Sequence, residues 1–224
     1  LGPLPWPRAR LAELVDAVAD AGAAGIAVDV LLAGATTPED DRRLAAALAR
    51  RPAVLAAALD RDGTWLLPPQ ALAGNAATAH AYGEVGPDGV VRTIAATKQA
   101  RGLALPALAL AAARLLEPRL AVVPGAVLRP AFRPAPQALP ALGAADVLVG
   151  ARSADALRGR LVFVGVSATG AGDQFVVPTG PRRAPVPGVL AHASAAASIL
   201  GGRLLRMPHP TWTAVACLAL AFGV

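Results

Sequence analysis

Two short apolar runs near the N-terminus, each set between helical patterns, restrict this chain more than any other feature. Residues 24–32 (AGIAVDVLL) and 53–59 (AVLAAAL) are rich in Val, Ile, Leu and Ala and do not alternate with polar residues. A strand that reads this way is buried on both faces, which is the habit of parallel sheets covered by helices. Before the first run, Leu11, Leu14, Val15 and Val18 recur at helical spacing over residues 8–21, and Gly22 stops the helix. Between the runs, Thr37 caps a helix whose first position is Pro38. That helix extends to about residue 51, turns Leu44 and Leu48 inward, and ends before Pro52. Two helix–strand alternations within sixty residues predict an α/β fold. The expected architecture is a layered sheet of mainly parallel buried strands with flanking helices and an inserted β-hairpin.

The hairpin is expected in YGEVGPDGVVRTIAAT, where two short runs flank Pro87-Asp88-Gly89 and Arg92 lies on the returning strand. The preceding residues, 60–79, read as loop. Residues 105–116 (LPALALAAARLL) read as a helix, and 118–140 hold six prolines and room for one short strand near 127–132. A small helix is expected over 141–149 and a turn over 153–157. At 224 residues, one core is the better expectation than two.

Residues 161–192 concentrate the polar groups that could form a site. Residues 161–165 (LVFVG) read as a buried strand, and a loop of small residues with Ser167, Thr169, Asp173 and Thr179 follows. A second apolar helix begins at Pro187-Gly188 and carries His192. Open α/β sheets place their sites at the carboxyl ends of strands. Ser167, Asp173 and His192 stand in the chain order of an α/β-hydrolase, but Gly165-Val166-Ser167-Ala168-Thr169-Gly170 puts the second glycine one residue late for G-x-S-x-G. A serine hydrolase built on Ser167 is therefore the alternative reading. No G-x-x-x-x-G-K-[ST] or G-x-G-x-x-G follows the strand, so a nucleotide site is not expected, although a small anion near Arg92 remains open. His80, His192 and His209 lack ligand spacing and Cys217 is the only cysteine, so no metal site and no internal disulfide are expected. Asp29 lies within the first apolar run, where a carboxylate is costly unless paired. It is either a satisfied structural group or a site residue.

Composition matters at two points. The net charge is +6 and the mean hydropathy +0.51. The arginines are scattered, with pairs at 42–43, 50–51 and 182–183, and no stripe interleaves them with aromatics. Nucleic-acid binding is not expected. The high hydropathy points to the C-terminal run: residues 211–224 contain no charge, follow Pro208 and Pro210, and carry Trp212 where an interfacial aromatic would sit. Fourteen residues fall short of the ~20 that span a bilayer. The run is read as the start of a truncated transmembrane helix over 208–224, the alternative being a buried helix.

These residues together resemble a known family. The pattern comprises DVLL with Asp29; Glu39-Asp40-Asp41 followed by Leu44-Ala45; Pro87-Asp88-Gly89-Val90-Val91-Arg92; and a Leu-Pro-Ala-Leu-Ala-Leu helix. It continues with Ala145-Asp146-Val147-Leu148, Gly159 through Gly165, Asp173, Pro178-Thr179, Pro187-Gly188-Val189 and His192-Ala193. The chain resembles the second type of CHASE domain, the cyclase/histidine-kinase-associated extracellular sensory domains of bacteria, over about residues 8–207. Two departures are Pro178-Thr179, where the family tends to Thr-Pro, and Leu190, where an acidic residue is frequent.

The resemblance implies a periplasmic or extracellular sensory domain over residues 1–207, followed by transmembrane helices and a cyclase, histidine kinase or serine/threonine kinase output in the cell. No cofactor, catalytic residue or metal is implied for the domain itself. The expected partners are an unknown small ligand or periplasmic protein, the membrane through the C-terminal helix, and a second copy in a homodimer; a purely structural dimerisation module is a further alternative. The candidate ligand contacts are Asp29, Arg92, Ser167, Asp173, Thr179 and His192.

Overall fold

The structure is a computed structural model that describes residues 5–34, 36–123, 125–150, 153–168, 173–179 and 184–207, with Thr211 and Leu220. The strands are β1 (Gly25–Asp29), β2 (Ala53–Leu59), β3 (Trp65–Leu66), β4 (Ala77–His80), β5 (Glu84–Val85), β6 (Val91–Ala95), β7 (Thr97–Ala100), β8 (Leu103–Pro106), β9 (Val127–Leu128), β10 (Leu161–Gly165), β11 (Gln174–Val176) and β12 (Pro185–Pro187). The helices are α1 (Arg8–Asp20), α2 (Pro38–Leu48), α3 (Gln70–Ala73), α4 (Leu108–Leu116), α5 (Ala144–Leu148), α6 (Ser153–Leu157) and α7 (Gly188–Leu200).

The main sheet runs β10-β1-β2-β4, and every one of these pairings is parallel. β3 adds an antiparallel pair at the end of β2. The pleat sorts the apolar side chains onto two faces. Ile26, Val28, Leu55 and Val164 turn toward α1 and α2, where Leu44 and Leu48 are buried with Val15 and Val18. Ala27, Val54, Ala56 and Ala79 turn toward α4, joined by the partly buried Leu161 and Phe163. α4 and α7 close that face. Their contact surfaces are mostly alanine, so they lie close to each other and to the strands. A Cβ on Gly25 would come within 3.1 Å of Leu115.

The layered α/β expectation therefore holds, and so does the hairpin: β5 and β6 pair around a turn whose Gly89 has φ of +77°, a left-handed value glycine adopts freely. Thr37 caps α2 by accepting a hydrogen bond from the Asp40 amide at 3.2 Å. Four segments differ from expectation. Residues 77–80, read as loop, form the fourth parallel strand, β4. Leu105 and Pro106, read as helix, belong to β8, which pairs with β7. Residues 174–176 and 185–187, read as loop and helix start, form the hairpin β11–β12. Residues 153–157 make a helical turn, α6. In each case the segment is too short to carry a period, and its neighbours supply the missing order. The membrane helix expected over 208–224 lies, apart from Thr211 and Leu220, outside the described residues. Among those described, no helix is long and apolar enough to cross a membrane.

Candidate functional site at the β1–β10 crevice

β1 and β10 are neighbours, but the chain leaves them in opposite directions. After β1 it enters α2, packed beside α1 on one face. After β10 it passes through β11–β12 into α7, packed beside α4 on the other. Such a switch point opens a crevice at the carboxyl ends of the two strands.

Gly165 and Asp29 stand at the carboxyl ends of β10 and β1. They are partners in the β1–β10 register. A Cβ on Gly165 would lie 2.7 Å from Val189 Cβ and Cγ2 and 3.3 Å from Asp29 Cβ. The first turn of α7 thus rests directly on the end of β10, a contact only glycine permits. α7 is fixed there by its Gly188 amide, which donates to the Asp173 carbonyl at 2.8 Å. One turn further on, His192 is buried, with its ring edge-on to Phe175 of β11 at 5.6 Å and 88°.

Asp29, Asp173 and His192 are electrostatically linked. Burial pushes the Asp29 carboxyl above the ordinary carboxylate range; His192 opposes the shift and the Asp173 carboxylate adds to it. A cation or hydrogen-bond donor brought beside such a carboxyl would oppose the shift. Among the described residues no cluster suits a metal ion.

Ser167 is exposed and borders an apolar groove of about 1680 Å3 that continues from the crevice. The floor of the groove is β10, the outer strand of its sheet, with Leu11, Leu14 and Val147 on one side and Leu190, Ala193 and Ala197 on the other. The hydrolase alternative gains no support here, because Ser167 is not hydrogen-bonded to His192 or to Asp173. Thr179 lies in the turn after β11, where its amide donates to the Val177 carbonyl at 2.9 Å. Arg92 stands apart: its guanidinium grips Asp88 of its own hairpin through bonds of 2.8 and 2.6 Å on an exposed surface. The structure thus brings together Asp29, Asp173 and His192, places Ser167 at the mouth of the groove, and leaves Arg92 paired elsewhere.

Three residues that organise this region carry no sequence signal of their own. Arg8 is buried and its guanidinium clamps the loop between β1 and α2. It donates to the Leu32 and Gly34 carbonyls at 2.6 and 2.7 Å and to Thr36 at 3.2 Å, and it pairs with Asp41. The hydrogen bond from the Thr36 hydroxyl and the Arg8 charge hold the Asp41 carboxyl below its ordinary range. His80, at the end of β4, is fully buried. Its Nδ1 accepts from the Tyr82 amide at 3.3 Å, which leaves Nε2–H to donate to the Ala95 carbonyl at 3.0 Å. Burial lowers its pKa to about 4, so it is neutral. Gly165 reads in the sequence as part of a failed serine motif; its actual constraint is the approach of Val189.

A four-stranded parallel core flanked by helices, with small antiparallel sheets beside it, defines a mixed α/β domain. The chain belongs to the CHASE2 domain family, whose model matches residues 1–224. CHASE2 domains are extracellular sensory domains of membrane receptors. Neither curated proteins nor solved structures contain a match to the chain.

Proposed function

We propose that this domain is the extracytoplasmic input module of a bacterial transmembrane receptor and that its signal enters at the β1–β10 crevice. The observation that carries the reading is the junction of Gly165, Val189, Asp29 and Asp173, where the start of α7 rests on the sheet. A ligand or periplasmic partner would contact Asp29, Asp173, Ser167 and His192, with an apolar portion in the groove. Thr179, in the turn after β11, takes a secondary part, and Arg92, held by Asp88, takes none.

The path outward follows α7. Its Ser194 hydroxyl donates to the Pro134 carbonyl at 2.5 Å, and Ser198 Oγ accepts from the Arg133 amide at 3.0 Å. Beyond α7 the Leu205 amide donates to the Arg129 carbonyl at 2.8 Å. A displacement of the first turn would therefore reach residues 203–207 through a braced element, and from there the uncharged run and a cyclase or kinase output. Only a ligand that binds the two arrangements of α7 unequally could drive the change. The test is Asp29→Asn, Asp173→Asn and His192→Gln in the full-length receptor, with output activity and thermal unfolding read together. Altered output from a folded domain supports the proposal. Output unchanged in all three removes the crevice as the entry point.

A further inference from the structure

The molecule is electrically polarised. Nine of the 15 acidic residues lie between Glu13 and Asp62, and the described ion pairs of that region knit α1 to α2. Between Pro118 and Ala145, and again after Asp173, there is no acidic residue. The two acid-free segments meet on one surface. Pro130 bridges Leu204, and the Ala131 amide donates to the Arg203 carbonyl at 3.0 Å. Arg129, Arg203 and Arg206 cluster there, and none belongs to an ion pair among the described residues. Between and around them stand the most exposed large apolar side chains of the region: Val123 at 74 %, Val127 at 47 %, Leu205 at 60 % and Met207 at 68 %. Arginines without counter-ions interleaved with exposed aliphatics match an interface with anionic headgroups above and acyl chains below. A nucleic-acid partner would call for stacking aromatics, and none stands among these side chains.

We infer that this surface docks on the outer face of the membrane, with Arg129, Arg203 and Arg206 on anionic lipid phosphates and Val123, Leu205 and Met207 in the interface. The inference rests on the proposed entry of the chain into the bilayer after residue 207. From Met207 to Thr211, where the uncharged run begins, four residues reach at most roughly 14 Å. A chain that enters there holds this surface against the headgroups. Docking would fix the output end of the α7 path while the crevice at the opposite end of α7 stays open to its ligand.

The experiment uses the full chain in vesicles of phosphatidylcholine, alone or mixed equally with phosphatidylglycerol, with lipids brominated near the headgroup. Leu205→Cys and Val149→Cys, each in a Cys217→Ser background, carry a fluorophore. Flotation reports membrane attachment and bromine quenching reports which face meets the lipid. The expected result is flotation of both, strong quenching at position 205 only, and dependence of that quenching on phosphatidylglycerol. Replacing Arg129, Arg203 and Arg206 by Gln should lower the docked-to-undocked ratio about a hundredfold, at about fivefold per arginine. Flotation without quenching at 205, or equal quenching at 205 and 149, overturns the docking face and leaves the receptor reading intact. Failure to float in either lipid overturns both. Quenching at 205 that ignores phosphatidylglycerol and the triple substitution overturns the electrostatic docking.

Discussion

Replacing Gly165 by alanine tests the junction on which the proposed signal path depends. The added Cβ would meet Val189 Cβ and Cγ2 at 2.7 Å, inside any real carbon–carbon contact, and both obstacles belong to the stem of a side chain that cannot swing away. Either α7 lifts or β10 bends. Overpacking of this kind costs about 1–3 kcal/mol. Taking about 2 kcal/mol, a chain of this length should lose about 4–8 °C in melting temperature. Val189→Gly removes the opposing carbons; burial of three carbons and the helix preference of glycine together put its own cost at about 3 kcal/mol. In the double variant the clash is gone, so its cost should fall short of the sum of the singles by about 2 kcal/mol, against the ~0.5 kcal/mol expected of independent sites. Thermal and denaturant unfolding of the four proteins measures the cycle. Additive costs, or a Gly165→Ala protein as stable as the parent, would refute the claim that α7 is seated on β10 through this contact.

Three further outcomes follow from the buried polar groups. Arg8→Met should cost about 3 kcal/mol, because it leaves two carbonyls without a partner and the Asp41 carboxylate with only its Thr36 hydrogen bond; a change under about 1 kcal/mol in urea unfolding would show the clamp to be dispensable. His80 has a folded pKa near 4, below its ordinary 6.5, so the unfolded chain takes up a proton that the folded one refuses. Its contribution is present above pH 6.5 and is lost as the pH falls toward 4, about 3 kcal/mol at 1.36 kcal/mol per pH unit. His80→Gln should flatten that segment of the stability profile, and an unchanged slope would contradict the assignment. Asp29 is displaced the other way: its folded pKa is raised, so its stabilising protonated form is lost as the pH rises through that value. Asp29→Asn should therefore raise the melting temperature at pH 7 and change little in acid below the ordinary carboxylate range. A lower melting temperature at pH 7 would mean that the carboxylate is satisfied in the folded state.

Much of the candidate site was legible in the residues, although its construction was not. Asp29 is conspicuous as a carboxylate in an apolar run, and Asp173 and His192 follow a buried strand at its carboxyl end. What joins them, the crossing of the chain to opposite faces after β1 and β10, depends on which strands are neighbours, and strand order leaves no trace in local pattern. Arg92 illustrates the converse. A lone arginine on a hairpin invites a ligand role, yet Asp88, four residues earlier and across the turn, lies close enough to bind it. The missed strands β4, β7, β8, β11 and β12 have four residues or fewer. At that length pairing partners decide the conformation, whereas α1, α2, β1 and β2 declare themselves through period and caps.

By itself the sequence determined the layered α/β class, the doubly buried strands, the capped α2 and the Asp-Gly hairpin turn. These are local or additive properties, set by side-chain hydrophobicity and backbone preference. Only the tertiary structure decided that β10 lies beside β1, that Gly165 must admit Val189, that Arg8 is a buried clamp, and that Val123, Val127 and Arg129 share one basic, apolar surface with residues 203–207. Each of those joins segments far apart in the chain, and such contacts depend on close packing in three dimensions, which no stretch of sequence specifies alone.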